Sequence, residues 1–123
     1  MRPTKDEYYL NIAEAVMQRS TCLRRKYGAV IVKNDEIIAT GYNGAPRGEQ
    51  HCVTCNRPNG GDYLTCKSVH AEMNAIISAP RSDMIDAILY LASDQPNAKP
   101  CDICRRLIVN AGIKEVITRE KFQ

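Results

Sequence analysis

No stretch of this sequence is apolar for the roughly 20 consecutive residues that a bilayer-spanning helix takes, so no membrane span is expected. No secretory leader is expected either. The amino end, MRPTKDEYYLNIAEAV, carries charge through the region where an apolar core would have to sit, which points to the cytoplasm. There are no internal repeats and no low-complexity stretch, which leaves out solenoids and disordered linkers. At 123 residues the chain has no room for a second domain and is expected to form one, over 1–123. A net charge of +3 is too small to indicate a nucleic-acid partner, although it suits an anionic small molecule. With 44% hydrophobic and 25% charged residues, the composition is that of an ordinary globular protein.

What the sequence does have is cysteine: six, arranged as two C-x-x-C pairs and two singles. In a reducing compartment this pattern points to metal ligands before disulfides.

Thr4-Lys5-Asp6-Glu7 has the form of a capping box. Tyr9, Ile12, Ala13 and Val16 follow at helical spacing, predicting a helix up to about Ser20. Gly28–Lys33 and Glu36–Thr40 read as strands of a hairpin turning at Asn34-Asp35. From Gly41 to about Lys67 the chain is rich in Gly, Pro, Asn and Cys and reads as a long functional loop. A helix over Val69–Ala79 stops at Pro80, and Ala87–Ala92 reads as a buried strand. Pro100 precedes a helix over Cys101–Ala111 with Gly112 as its C′ residue, and Glu115–Thr118 is a last strand. The order α-β-β-α-β-α-β predicts an α/β fold with a mixed sheet, its last crossover parallel. The final helix then starts at the carboxyl edge of the preceding strand, where such sheets bind ligands.

Two segments carry chemistry, His70-Ala71-Glu72 and Pro100-Cys101-Asp102-Ile103-Cys104, each at a predicted helix start. An imidazole and two thiolates make three zinc ligands and leave a fourth tetrahedral position open, as a catalytic site requires. Helix amino termini favour the thiolate form. Zinc lowers the pKa of bound water from about 16 toward roughly 7, and Glu72, in the same helical turn as His70, is placed to move the protons. A lone histidine or a single C-x-x-C would mean little. H-x-E at one helix start and P-C-x-x-C at the next is the signature of zinc nucleobase deaminases, in which the glutamate is not a ligand.

These segments resemble the cytidine and deoxycytidylate deaminase superfamily, most closely the deoxycytidylate (dCMP) deaminases. The resemblance also rests on Thr21-Cys22-Leu23-Arg24-Arg25, Gly28-Ala-Val-Ile-Val32, Thr40-Gly-Tyr-Asn-Gly-Ala-Pro-Arg-Gly48, His70-Ala-Glu-Met-Asn-Ala-Ile76 and Asn110-Ala-Gly-Ile113. It implies a three-layer α/β/α fold, one catalytic zinc on His70, Cys101 and Cys104, and hydrolytic attack at C4 of cytosine. Glu72 would protonate N3 and then the leaving amine, giving ammonia and a uracil nucleotide, dUMP if the substrate is dCMP. Asn43 carries the role of a sugar-hydroxyl contact, and Ala71 is a further candidate substrate contact. For the phosphate, Arg47 is the first candidate, with Arg24, Arg25 and Lys26 behind it. Tyr42 and Tyr90 are assigned to packing.

Cys22, Cys52, Cys55 and Cys66, with His51 as a possible replacement for one of them, are candidates for a second, structural zinc, which some dCMP deaminases carry in this region. Their alternative reading is as small apolar residues in a reduced protein. The family implies a homo-oligomer. Members usually continue with another helix and strand, so a chain that stops at Gln123 is expected to lack them. The Ser93–Lys99 loop looks longer than the family's usual approach to P-C-x-x-C. Rival substrates are cytidine, guanine and tRNA adenosine. A rival of another class is a non-catalytic zinc module closed by Cys52/Cys55 and Cys101/Cys104, which leaves Glu72 without a task.

Overall fold

The computed structural model describes residues 1–55 and 66–119. Helix α1 (Lys5–Met17) begins at the predicted capping box: the Glu7 amide donates to Thr4 Oγ1 at 3.2 Å, and the Thr4 amide donates to Glu7 Oε1 at 3.1 Å. It ends at Met17 rather than Ser20. The amides of Gln18, Arg19 and Ser20 bond three residues back, so the chain tightens out of the α-helix.

Strands β1 (Tyr27–Lys33) and β2 (Glu36–Tyr42) form the expected hairpin. Asn34 and Asp35 have φ of 52° and 63°, as a two-residue turn matched to strand twist requires. Strand β2 runs two residues past its predicted end, so Gly41 and Tyr42 belong to the sheet and not to the following loop. Helix α2 (Ala71–Ile77) is shorter than predicted, with His70 as its N-cap. Pro80 ends nothing by itself. It caps a short helix α3 (Arg81–Met84) that the periodicity missed, since one turn is too brief to show a period. Strand β3 (Ile88–Ser93), helix α4 (Asp102–Ala111) and strand β4 (Glu115–Thr118) complete the chain, and Gly112 takes the left-handed conformation at the end of α4 with φ 91°.

The sheet order is β2-β1-β3-β4, with β1 antiparallel to both neighbours and β3 parallel to β4. Alternation along the strands divides the core. Ala29, Ile31, Leu89 and Leu91 pack with Ala71, Ala75, Ile108 and Ala111 of α2 and α4. Val30, Val32, Tyr90, Ala92 and Ile117 face the other way, onto Tyr9, Leu10, Ala13 and Met17 of α1. The result is the three-layer α/β/α arrangement. Because β2 and β3 both oppose β1, their carboxyl ends meet at one edge of the sheet, beside Tyr27. The start of α4 lies on that edge. Among the described residues no helix is long and apolar enough to cross a membrane.

Candidate active site

Cys101 ends the loop after β3 as the N-cap of α4, its sulfur accepting from the Cys104 amide at 3.4 Å. Cys104, one turn on, is fully buried. His70 arrives from α2: its Nδ1 lies 3.2 Å from Cys104 Sγ and 3.5 Å from Cys101 Sγ. The donor atoms of all three lie within 4.8 Å of one another. Zn–S and Zn–N bonds of about 2.3 and 2.05 Å at a tetrahedral centre put sulfur about 3.6 Å from nitrogen, close to both of these separations. Burial, then the neighbouring Glu72 and Cys101, pushes the Cys104 thiol up. A divalent cation at the group would reverse that cost for the buried Cys104. No fourth protein donor joins the group among the described residues.

Glu72 is 4% exposed, in the first turn of α2 beside Cys104. Burial raises its carboxyl from the ordinary value, opposed by hydrogen bonds to its own backbone and to Cys104. A carboxyl so placed holds a proton more readily than one in water, which a group that must both take and return protons requires.

The cleft over this group is lined by residues of four segments, among them Arg24, Arg25, Asn43, Ala71, Glu72 and Lys99. Asn43 is nearly fully buried, and its amide is largely engaged by the protein. Oδ1 accepts from Ser20 Oγ at 2.6 Å and from the Tyr27 amide at 2.9 Å, while Nδ2 donates to the Arg25 carbonyl at 2.9 Å. Among the described residues no hydrogen bond takes its second N–H. A two-stranded bridge between Gly44 and Val69, with amide–carbonyl distances of 3.2 and 2.7 Å, fixes Asn43 relative to His70.

Arg47 is exposed and does not line the cleft, whereas Arg24 and Arg25 do. The Lys26 backbone bonds to Asp94 instead. Asn74 donates from Nδ2 to the Tyr42 carbonyl at 2.8 Å, so it holds α2 to β2. Tyr90 is core, donating its hydroxyl to Asp6 at 2.6 Å, and Tyr42 stays at the surface. Three lining residues escaped the sequence reading: Tyr27, Ser68 and Lys99. Adjacency of a cation to Pro100-Cys101 was the one available signal for Lys99. Tyr27 and Ser68 carry no motif and are recruited by topology.

Cys22, Cys52, Cys55 and Cys66 border one neighbouring cleft together with His51, and Cys22, Cys55 and Cys66 also reach the first. Among the described residues the only trio of donors converging closely enough to hold an ion is His70, Cys101 and Cys104. The zinc-module pairing of Cys52/Cys55 with Cys101/Cys104 is therefore not what converges. Residues 56–65 of the predicted loop lie outside the described residues.

A model of the cytidine and deoxycytidylate deaminase zinc-binding region matches residues 3–120. The deoxycytidylate deaminase of Mycobacterium phage D29 is 44% identical over 126 residues, covering 94% of each chain. That of Schizosaccharomyces pombe is 40% identical over 129 residues, covering 98% of this chain but 38% of its own length. The crystal structure of the cyanophage S-TIM5 dCMP deaminase in complex with dCMP and dUMP superposes with a TM-score of 0.75 at 33% identity, covering 96% of this chain and 82% of that one.

Proposed function

This chain belongs to the cytidine and deoxycytidylate deaminase family, and from that premise we propose that it is a cytoplasmic zinc-dependent hydrolase converting dCMP and water to dUMP and ammonia. The single observation that carries the reading is the trio His70, Cys101 and Cys104, with the buried carboxyl of Glu72 beside Cys104. His70, Cys101 and Cys104 hold the zinc. When bound, that ion supplies the Lewis acidity that makes water nucleophilic near neutral pH.

The remaining work falls to side chains of this chain. Glu72 takes a proton from the attacking water, delivers it to N3 of the base, and then protonates the departing amine. The water oxygen adds to C4 as N3 gains the first proton; the second proton of that water then passes through Glu72 to the amine, the C4–N bond breaks as the C4 carbonyl forms, and the nitrogen leaves as ammonia. Ala71 is the first residue of α2, so its amide has no intrahelical acceptor and is available to the base carbonyl at C2. The remaining N–H of Asn43 is available to a sugar hydroxyl. A second zinc on Cys22, Cys52, Cys55 and Cys66 is part of the proposal, supported by their common cleft. So is a homo-oligomer, supported by Ile77, Ile103 and Val109 standing exposed on α2 and α4.

An ammonia-release screen over dCMP, CMP, deoxycytidine, cytidine and guanine, with metal analysis on the same preparation, tests the reading. dCMP is expected to turn over best, with two zinc ions per chain. Glu72→Gln is expected to lose at least about 100-fold in rate while keeping its zinc, because Glu72 is not a ligand. A zinc-loaded protein that releases ammonia from none of the five overturns the proposal.

A further inference from the structure

Three cationic side chains, Arg24, Arg25 and Lys99, share the wall of a cleft whose one lining carboxyl, among the described residues, is the buried Glu72. They come from two loops far apart in sequence, and the structure joins those loops. The Lys26 amide donates to Asp94 Oδ1 at 3.0 Å, and the Asp94 amide donates back to the Lys26 carbonyl at 3.2 Å. Gln95 Nε2 donates to the same Asp94 oxygen at 3.1 Å. On its other side the first loop is pinned by Asn43 through the Arg25 carbonyl and the Tyr27 amide. Both loops are thus held together at the Asp94 seam, and Arg25 and Lys99 line one cleft on either side of it.

Holding like charges together is unfavourable unless an anion offsets their repulsion. Neither a cytosine ring nor a deoxyribose supplies one, whereas a 5′-phosphate supplies close to two negative charges and several acceptor oxygens. Ser68 Oγ lines the same cleft, buried and without a hydrogen-bond partner among the described residues, and is a donor of the kind a phosphate oxygen accepts. Lys99 also stands two residues before Cys101, so its backbone is anchored to the metal group.

Resting on the deaminase reading above, we propose that Lys99 is a specificity-determining residue: with Arg25 across the Asp94 seam it receives the 5′-phosphate, and so makes the cleft select nucleotides over nucleosides. Arg47, the candidate drawn from the sequence, lies outside this wall.

The test is steady-state kinetics of the zinc-loaded full chain on dCMP and on deoxycytidine, for wild type, Lys99→Gln and Lys99→Arg, with zinc content and thermal midpoint read on each preparation. Wild type is expected to prefer dCMP. Lys99→Gln is expected to lower the ratio of kcat/KM for dCMP to that for deoxycytidine by roughly 10- to 100-fold, mostly through KM for dCMP, as loss of a charged hydrogen bond does. Lys99→Arg is expected to restore most of the ratio. If Lys99→Gln leaves the ratio where it was, whether or not both activities fall together, Lys99 serves the frame or the metal and the inference is wrong. If wild type turns over both substrates equally, the phosphate assignment fails while the deaminase reading stands. Ammonia from neither substrate would bring down the deaminase reading itself.

Discussion

Replacing Gly41 with alanine probes how closely the sheet must approach the helix that carries His70 and Glu72. A methyl group built at Gly41 would sit 2.4 Å from the Ala71 carbonyl oxygen, 2.5 Å from the Ala75 amide nitrogen and 3.0 Å from the Asn74 carbonyl carbon. All three are backbone atoms of α2, so no side chain can swing aside. The φ of Gly41 is not in the left-handed region, so what glycine supplies here is space rather than conformational freedom. Relief requires α2 to move about 1 Å from β2, which strains the Gly44–Val69 bridge and the Asn74–Tyr42 bond. Overpacking of this kind costs about 1–3 kcal/mol, or more when the opposing atoms are backbone. For a domain of this size that lowers Tm by roughly 3–5 °C per kcal/mol. A 1 Å displacement of catalytic groups costs on the order of 100-fold in rate, so kcat/KM for dCMP is expected to fall by about that factor, with weakened zinc retention. Gly28→Ala is the comparator. Its methyl would lie 2.2 Å from the Ala13 carbonyl oxygen and 2.6 Å from the Met17 amide nitrogen, both in α1. It should cost similar stability while disturbing the face of the sheet opposite α2 and α4, so the folded fraction keeps more of its activity. Ammonia-release kinetics and thermal melts on the two variants check this. Wild-type activity and Tm in Gly41→Ala would refute the close-approach argument.

Asn43→Ala strips partners from the Tyr27 amide, the Arg25 carbonyl and the Ser20 hydroxyl; at about 1 kcal/mol for each of these part-buried groups left unpaired, a drop in urea midpoint worth about 3 kcal/mol is expected, and an unchanged midpoint would show the network to be dispensable. Cys101→Ser should lose the catalytic zinc and activity together, read by metal analysis beside the ammonia assay; retained stoichiometric metal at that site would remove Cys101 from the ligand set. The Tyr9 hydroxyl donates to Asp35 Oδ1 at 2.5 Å and to the Asp35 carbonyl at 3.0 Å, and the bond to Asp35, then burial, pushes its pKa from 10.0 up to about 12. Because the protonated form makes the bond, its stabilisation is complete below pH 10 and is lost as pH rises through 12. Urea midpoints measured at intervals from pH 9 to 12 should fall less steeply in Tyr9→Phe than in wild type, and parallel curves would count against the assignment.

Local signals survived folding where their cause was local. The Thr4–Glu7 box, the Asn34-Asp35 turn and the Gly112 cap all depend on atoms within four residues, and each forms as read. Boundaries failed where a distant partner decided them. Strand β2 continues through Gly41 and Tyr42 because β1 and α2 offer a surface there, which composition alone reads as loop. The ligand trio was legible because two helix starts carry motifs whose residue types admit few other uses. The makeup of the cleft wall was not. Arg47 shares a loop with Asn43, and adjacency in sequence suggested adjacency in space, yet its side chain stays at the surface while Arg25 and Lys99 take the cleft wall.

By itself, then, the amino-acid order determined the candidate chemistry of this protein: the motif residues His70, Cys101 and Cys104, the carboxyl of Glu72 beside them, and that α and β elements alternate around one sheet. Only the tertiary structure decided which cations line the cleft over that group, Arg24, Arg25 and Lys99, and which bonds join their loops. Motif chemistry is written in spacings of a few residues, whereas the Asp94 seam joins backbones 68 residues apart, and no local preference encodes a contact across that distance.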